Sequence, residues 1–116
     1  KNIIDLDLFI GINGCSLKLQ ENLDVVDTIP LDKLMIETDA PYCGIRPTHA
    51  SFSHVKTKWQ EKDKKKYVDN LMVKGRNEPC CIIQVLEVIC GRRNIDLHEA
   101  AEQIYKNTKE VFFPEE

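Results

Sequence analysis

No apolar run in this sequence approaches the ~20 residues that a membrane-spanning helix needs, so no membrane partner is expected. The start, Lys1-Asn2-Ile3-Ile4-Asp5, lacks a secretory pattern: charges come too soon and no long apolar stretch follows. The first residue is not Met, which leaves room for an upstream targeting signal. There is no C-x-x-C pair, the commonest spacing for zinc and redox sites. The five cysteines, Cys15, Cys43, Cys80, Cys81 and Cys90, are odd in number, and the adjacent pair is poor geometry for a mutual disulfide. They read as five reduced thiols, mostly small buried hydrophobes. Such a chain suits a reducing compartment, hence an intracellular location, cytoplasmic or nuclear. No internal repeat is found either, which excludes solenoid architectures.

What is present is ordinary in bulk. The chain has 116 residues, 42% hydrophobic and 30% charged, enough for one domain with a modest core. Its net charge of −3 hides an asymmetry. Residues 42–76 hold nine basic and three acidic residues, a balance of +6, so the rest of the chain carries −9.

Residues 8–14 read as a buried strand closing in a glycine turn. Residues 21–29 place Leu23, Val26 and Ile29 on one helical stripe that Pro30 ends. Residues 33–38 read as a second strand. Strand, helix, strand with short connections is a βαβ unit, hence a parallel sheet. The pattern then stops: residues 42–76 predict a long basic loop, and loops of that length are usually functional or disordered. Asn77-Glu78-Pro79 predicts a helix start, with Asn77 as its cap. Cys80 to Cys90 is apolar almost all round, broken by Gln84 and Glu87, and Gly91-Arg92-Arg93 predicts its end. Asp96 to Glu99 is an Asp-type capping box. The last helix is expected to gather Leu97, Ala101, Ile104, Tyr105, Thr108 and Phe112 on one face. Two strands alone cannot make a sheet covered on both faces, so the fold class expected is α/β with further strands supplied from elsewhere.

The sharpest feature is Glu37-Thr38-Asp39-Ala40-Pro41. An apolar strand ends in two carboxylates that point to the same side of the pleat. In a βα barrel the C-terminal strand ends line the active site. Two acids converging there call for a cation, either a metal or a buried base. The bland alternative is a carboxylate that caps the following turn.

These residues resemble a known family. Ile36-Glu37-Thr38-Asp39-Ala40-Pro41-Tyr42 resembles the last-strand signature of the TatD deoxyribonucleases. Arg76-Asn77-Glu78-Pro79 resembles the signature that opens their last barrel helix, and Phe9 to Gly14 resembles their seventh strand. The tail from Asn107 to Pro114 is similar to the end of the eukaryotic members. The resemblance implies that residues 1–116 are the C-terminal segment of a (β/α)8 TIM barrel. It also implies a metal-dependent hydrolase that cleaves phosphodiester bonds in DNA with a divalent ion (Mg²⁺, Mn²⁺ or Zn²⁺). On that resemblance Asp39 is a metal ligand and catalytic residue, and Glu37 is a supporting catalytic acid.

The histidine pairs and the glutamate that complete the family's site have no counterpart here. The three histidines, His49, His54 and His98, lie in the long loop or at a helix start. One carboxylate cannot hold a catalytic metal, so this segment alone is expected to be inactive and not to retain the ion. Its expected partners are DNA and either the N-terminal part of the barrel or a second copy of itself. The basic segment interleaves Lys56, Lys58, Lys62, Lys64, Lys65 and Lys66 with Trp59 and Tyr67. It reads either as a solvated loop or as a substrate contact through Lys62, Lys64, Lys65, Lys66 and Arg76, lysines meeting phosphates and aromatics meeting bases. Two alternatives stay open: an amidohydrolase on the same barrel, and a non-catalytic nucleic-acid-binding fragment.

Overall fold

The structure is a computed structural model that describes residues 8–62, 71–73 and 76–113. Two short apolar strands, β1 (Ile10–Ile12) and β2 (Leu34–Ile36), pair in parallel with Ile10 opposite Leu34 and Ile12 opposite Ile36. The pairing continues one bond past β2, where Glu37 N–H donates to Ile12 O at 2.9 Å. Helix α1 (Gln20–Val26) makes the crossover between them, as the βαβ reading expects. Leu23 and Val26 on it are buried as predicted, and so is Ile29, although the helix ends at Val26 and Ile29 lies in the turn that follows.

Two further helices cover the sheet. α2 (Ile82–Arg93) follows a 3-10 turn at Pro79–Cys81, and α3 (Leu97–Phe112) follows directly. The core joins Leu17, Leu23, Leu34, Val88 and Ile89 from across these elements. Each such side chain contributes on the order of 1.5–3 kcal/mol relative to exposure. Between β2 and α2 the chain makes a 3-10 turn at Ala50–His54 and a second short parallel pair, β3 (Glu61–Lys62) with β4 (Met72–Val73).

Four expectations are corrected. First, Cys15 and Cys43 form a disulfide, with their Cα atoms 5.0 Å apart, so the count of five thiols fails. The cysteines sit in the turns that follow β1 and β2. They are 28 residues apart in sequence, and parallel pairing makes them neighbours. Cys81 and Cys90 are the buried thiols, and Cys80 is exposed. Burial raises the pKa of both buried thiols.

Second, α2 runs through Gly91 to Arg93, and Asn94 ends it in the left-handed region at φ 53°. Gly91 serves close packing instead: a Cβ there would lie 2.7 Å from His54 Nδ1. Arg92 and Arg93 reach across to α1. Arg92 pairs with Asp24 at 3.0 Å and with Asp27, and Arg93 donates to Val26 O at 2.8 Å. They satisfy the carboxyl end of a neighbouring helix, where cations are favoured.

Third, α3 buries Ala100, Ile104 and Asn107, while Tyr105 is 64% and Phe112 62% exposed. Asn107 is tolerated inside because its amide donates to Leu31 O and Leu34 O at 2.9 and 2.7 Å, and its oxygen accepts from Gln103. Fourth, Asn77 is not a helix cap; its side chain turns instead to the loop beyond β2. The Asp96 cap stands as expected, accepting from His98 N–H and Glu99 N–H.

Candidate active site

The C-terminal ends of β1 and β2 carry one polar cluster. β1 runs into Asn13, which opens the 3-10 turn Gly14–Leu17. Its Oδ1 accepts from Cys15 N–H at 2.9 Å and Ser16 N–H at 3.2 Å. Its Nδ2 donates to Glu37 Oε1 at 3.2 Å and to Asp39 Oδ2 at 2.5 Å. The two acids that end β2 therefore meet at a single amide group. Both are solvent-exposed.

The loop beyond β2 is fixed from several sides. Asp39 adopts φ 56°, an uncommon conformation for a residue with a side chain. The Ala40–Pro41 peptide is cis. Asn77, though 38 residues from Asp39 in sequence, is buried against this loop. Its Nδ2 donates to Thr38 O and Tyr42 O, both at 2.9 Å, and its N–H donates to Pro41 O at 3.0 Å. Carbonyls on both sides of Asp39 thus share one donor. Two glycines permit the close approach: a Cβ on Gly14 would lie 2.0 Å from Cys43 O, and one on Gly11 would lie 2.9 Å from Glu37 Oε2.

Among the described residues no three or more His, Cys, Asp or Glu side chains gather into a cluster that could hold a metal. Glu37 and Asp39 nonetheless offer hard carboxylate oxygens converging on one point. That donor set fits part of a divalent-cation site.

The histidines stand apart from the acids. His49 Nδ1 accepts from Arg46 N–H at 3.2 Å. Burial, then the charges of Lys18 and Arg46, lower its pKa, which favours the neutral ring. His98 is exposed at the start of α3, as expected.

Of the candidate substrate contacts, Arg76 is exposed and pairs with Glu78 at 3.4 Å. It adjoins Asn77 and so sits beside the acidic loop. Lys64, Lys65 and Lys66 lie outside the described residues, as do Tyr67 and the side chain of Lys62. The described start of the basic segment exposes Lys56, Lys58 and Trp59, with Lys58 Nζ 4.5 Å from the centre of the Phe52 ring.

This segment is anchored by a group that in the sequence is only a break in an apolar helix. The buried Glu87 carboxylate accepts from Lys56 N–H at 3.0 Å, Thr57 N–H at 2.9 Å and Thr57 Oγ1 at 2.6 Å. Gln84 Nε2 donates to Thr57 O at 2.9 Å. Burial alone would raise the Glu87 pKa. The hydrogen bonds from Thr57 and Lys56 and the Lys56 charge outweigh it and hold the carboxyl below its ordinary value. An acid inside an apolar helix is the signal that could have found it, because such a charge requires partners.

Comparison with known proteins extends the picture. Residues 1–113 match the family described as TatD related DNase. The chain is 44% identical over 110 residues to the deoxyribonuclease Tat-D of Schizosaccharomyces pombe, covering 93% of this chain and 35% of that protein. It is 43% identical to the deoxyribonuclease Tat-D of Saccharomyces cerevisiae, covering 91% of this chain and 29% of the relative. The crystal structure of a TatD family hydrolase from Entamoeba histolytica superposes with a TM-score of 0.92 at 38% identity, over 97% of this chain and 38% of that one. The chain thus spans about a third of the length of the relatives it matches.

Proposed function

The chain belongs to the family of TatD related DNases, with the α/β fold of the C-terminal part of their (β/α)8 barrel, and from that premise we propose that it supplies one acidic edge of a metal-dependent deoxyribonuclease site. The observation that supports this most is the meeting of Glu37 and Asp39 at the carboxyl ends of two parallel strands, where barrel enzymes place their chemistry.

In this proposal Asp39 ligates a divalent ion (Mg²⁺, Mn²⁺ or Zn²⁺) and accepts a proton as a phosphodiester is hydrolysed. Glu37 assists beside it. The ion, when bound, would polarise the phosphate and acidify a water. Asn77 keeps Asp39 in place through the carbonyls of Thr38 and Tyr42. The described residues gather no further ligands, so in this proposal the others come from the rest of the barrel, and the 116-residue segment alone is inactive and does not retain the ion.

DNA is the proposed substrate. The basic segment of residues 42–76 would lie over the active-site face, with Lys62, Lys64, Lys65, Lys66 and Arg76 meeting phosphates. A polyanion suits such a segment better than a small neutral substrate does, which favours nuclease over amidohydrolase chemistry. The location proposed is intracellular, cytoplasmic or nuclear, and it rests on the likeness to the nuclease relatives and not on the cysteines, two of which form a disulfide.

A further partner is implied by exposed apolar side chains. Leu8 is 51%, Tyr105 64%, Phe112 62% and Phe113 54% exposed. We assign them to contact with the rest of the barrel or, in the isolated chain, with a second copy.

The test is Asp39→Asn in the whole protein. The substitution keeps the shape and removes the charge. DNA cleavage should fall close to background at saturating Mg²⁺ or Mn²⁺, with an unchanged circular dichroism spectrum. Wild-type turnover in that variant would reject the assignment.

A further inference from the structure

We infer that Asn13 is a positioning residue of this site: its side-chain amide sets how Glu37 and Asp39 face each other. The inference rests on reading those two acids as site residues. Asn offers an acceptor and a double donor on one planar group. Here both ends are used. Oδ1 accepts from two backbone N–H groups of the following turn, Cys15 and Ser16. Nδ2 donates to two carboxylates, Glu37 at 3.2 Å and Asp39 at 2.5 Å. The network fixes the orientation of the group, because a flipped amide would aim its oxygen at two acids and its NH2 at two donors.

A simple turn cap does not need this residue. Ser, Thr or Asp would accept from the same N–H groups about as well. What they lack is a donor able to reach both acids. Two carboxylates that meet at one NH2 group repel each other, and that group offsets the repulsion while holding their oxygens in register. The surroundings keep the amide in place from behind. The turn it caps is joined by the Cys15–Cys43 disulfide to the loop beyond Asp39. Gly11 leaves room for the Glu37 carboxylate against β1. β1 and β2 are hydrogen-bonded partners, so a side chain at the end of one reaches acids at the end of the other without any long flexible arm.

The role makes a particular demand on substitution. Asn13→Asp keeps the size and the turn-capping oxygen, and replaces the donor with a third negative oxygen facing the two acids. Asn13→Ser keeps a cap and cannot reach both acids. A residue that merely caps a turn would tolerate both changes. A positioning residue would tolerate neither.

The experiment uses the whole protein. Crystal structures of Asn13→Asp and Asn13→Ser are determined, and kcat and KM for a DNA substrate are measured beside wild type and Asp39→Asn. The expected result is that the Gly14–Leu17 turn persists while the carboxylates of Glu37 and Asp39 no longer converge. kcat should drop roughly a hundredfold, the scale of an ångström-level misplacement, with KM little changed. Carboxylates that stay in place in the folded variants would overturn the inference, whatever the activity. Should Asp39→Asn be inactive while both Asn13 variants turn over like wild type, the inference fails alone. Should Asp39→Asn keep full activity, the proposed function fails, and the carboxylate positions still decide the role of Asn13. If Asn13→Asp does not fold, Asn13→Ser carries the same comparison.

Discussion

Around Glu37 and Asp39, the polar groups find partners from distant parts of the chain: Asn13 from the end of β1, and Asn77 from the approach to α2. Along Lys56 to Trp59 the arrangement is the reverse. The backbone is gripped by Glu87 and Gln84, while the side chains of Lys56, Lys58 and Trp59 face solvent. The contrast matches two physical tasks. On the proposed function, chemistry at a carboxylate depends on placement to about an ångström, which the shared partners of the two acids supply. Attraction of a polyanion depends on charge and is tolerant of position, so an anchored backbone with outward-facing side chains suffices.

Glu87→Ala strikes hardest at the anchored segment. Two N–H groups and a hydroxyl would lose their acceptor, and about 3 kcal/mol of stability should go with it, read by urea unfolding of the whole protein. No measurable loss would mean that the segment is held by something other than Glu87. On the acidic side, Asn77→Ala removes the donor shared by Thr38 O and Tyr42 O. The expected cost is smaller, about 2 kcal/mol, together with a fall in kcat as Asp39 loses its fixed place. Stability lost without any change in kcat would separate the loop from the chemistry.

The same anchor gives a pH signature. The folded Glu87 pKa is depressed, so its contribution is fully present above the ordinary glutamate value of 4.5 and is lost as pH falls through the folded value. Protease access to the Lys56–Lys58 bonds should therefore rise in acid for wild type. Glu87→Gln should show that access already at neutral pH; equal protection of the two proteins at neutral pH would contradict the anchor. The smallest effect concerns the lysines. Charge reversal of Lys62, Lys64, Lys65 or Lys66 should flatten the slope of log affinity against log salt by about 0.7–0.9 for each phosphate left without its cation. An unchanged slope would leave them as solubilising residues.

Much of the framework is legible in the residues. The apolar runs at 8–14 and 33–38 point to paired parallel strands, which form over the shorter spans Ile10–Ile12 and Leu34–Ile36, and Leu23, Val26 and Ile29 are buried between them. The acids after β2 stand out, since charge follows an apolar run. Asn13 does not, because an Asn-Gly pair after a strand looks like any turn. Its role exists only once β2 lies beside it. The Cys15–Cys43 link and the Glu87 anchor are hidden likewise by sequence separations of 28 and about 30 residues. The buried face of α3 differs from the expected one because helical spacing gives the stripe's period, while the neighbour decides which stripe is buried. Asn107 takes its buried place by satisfying two carbonyls beside β2.

On the proposed function the acidic edge does the chemistry and the basic segment does the binding. Steady-state kinetics on one DNA substrate tests this division most directly, comparing Asp39→Asn with a variant in which Lys62, Lys64, Lys65 and Lys66 are all changed to Glu. Asp39→Asn should lose kcat and keep its affinity for DNA, while the lysine variant should raise KM and keep kcat at saturation. A lysine variant that loses kcat at unchanged KM, or an Asp39→Asn variant impaired only in KM, would contradict it.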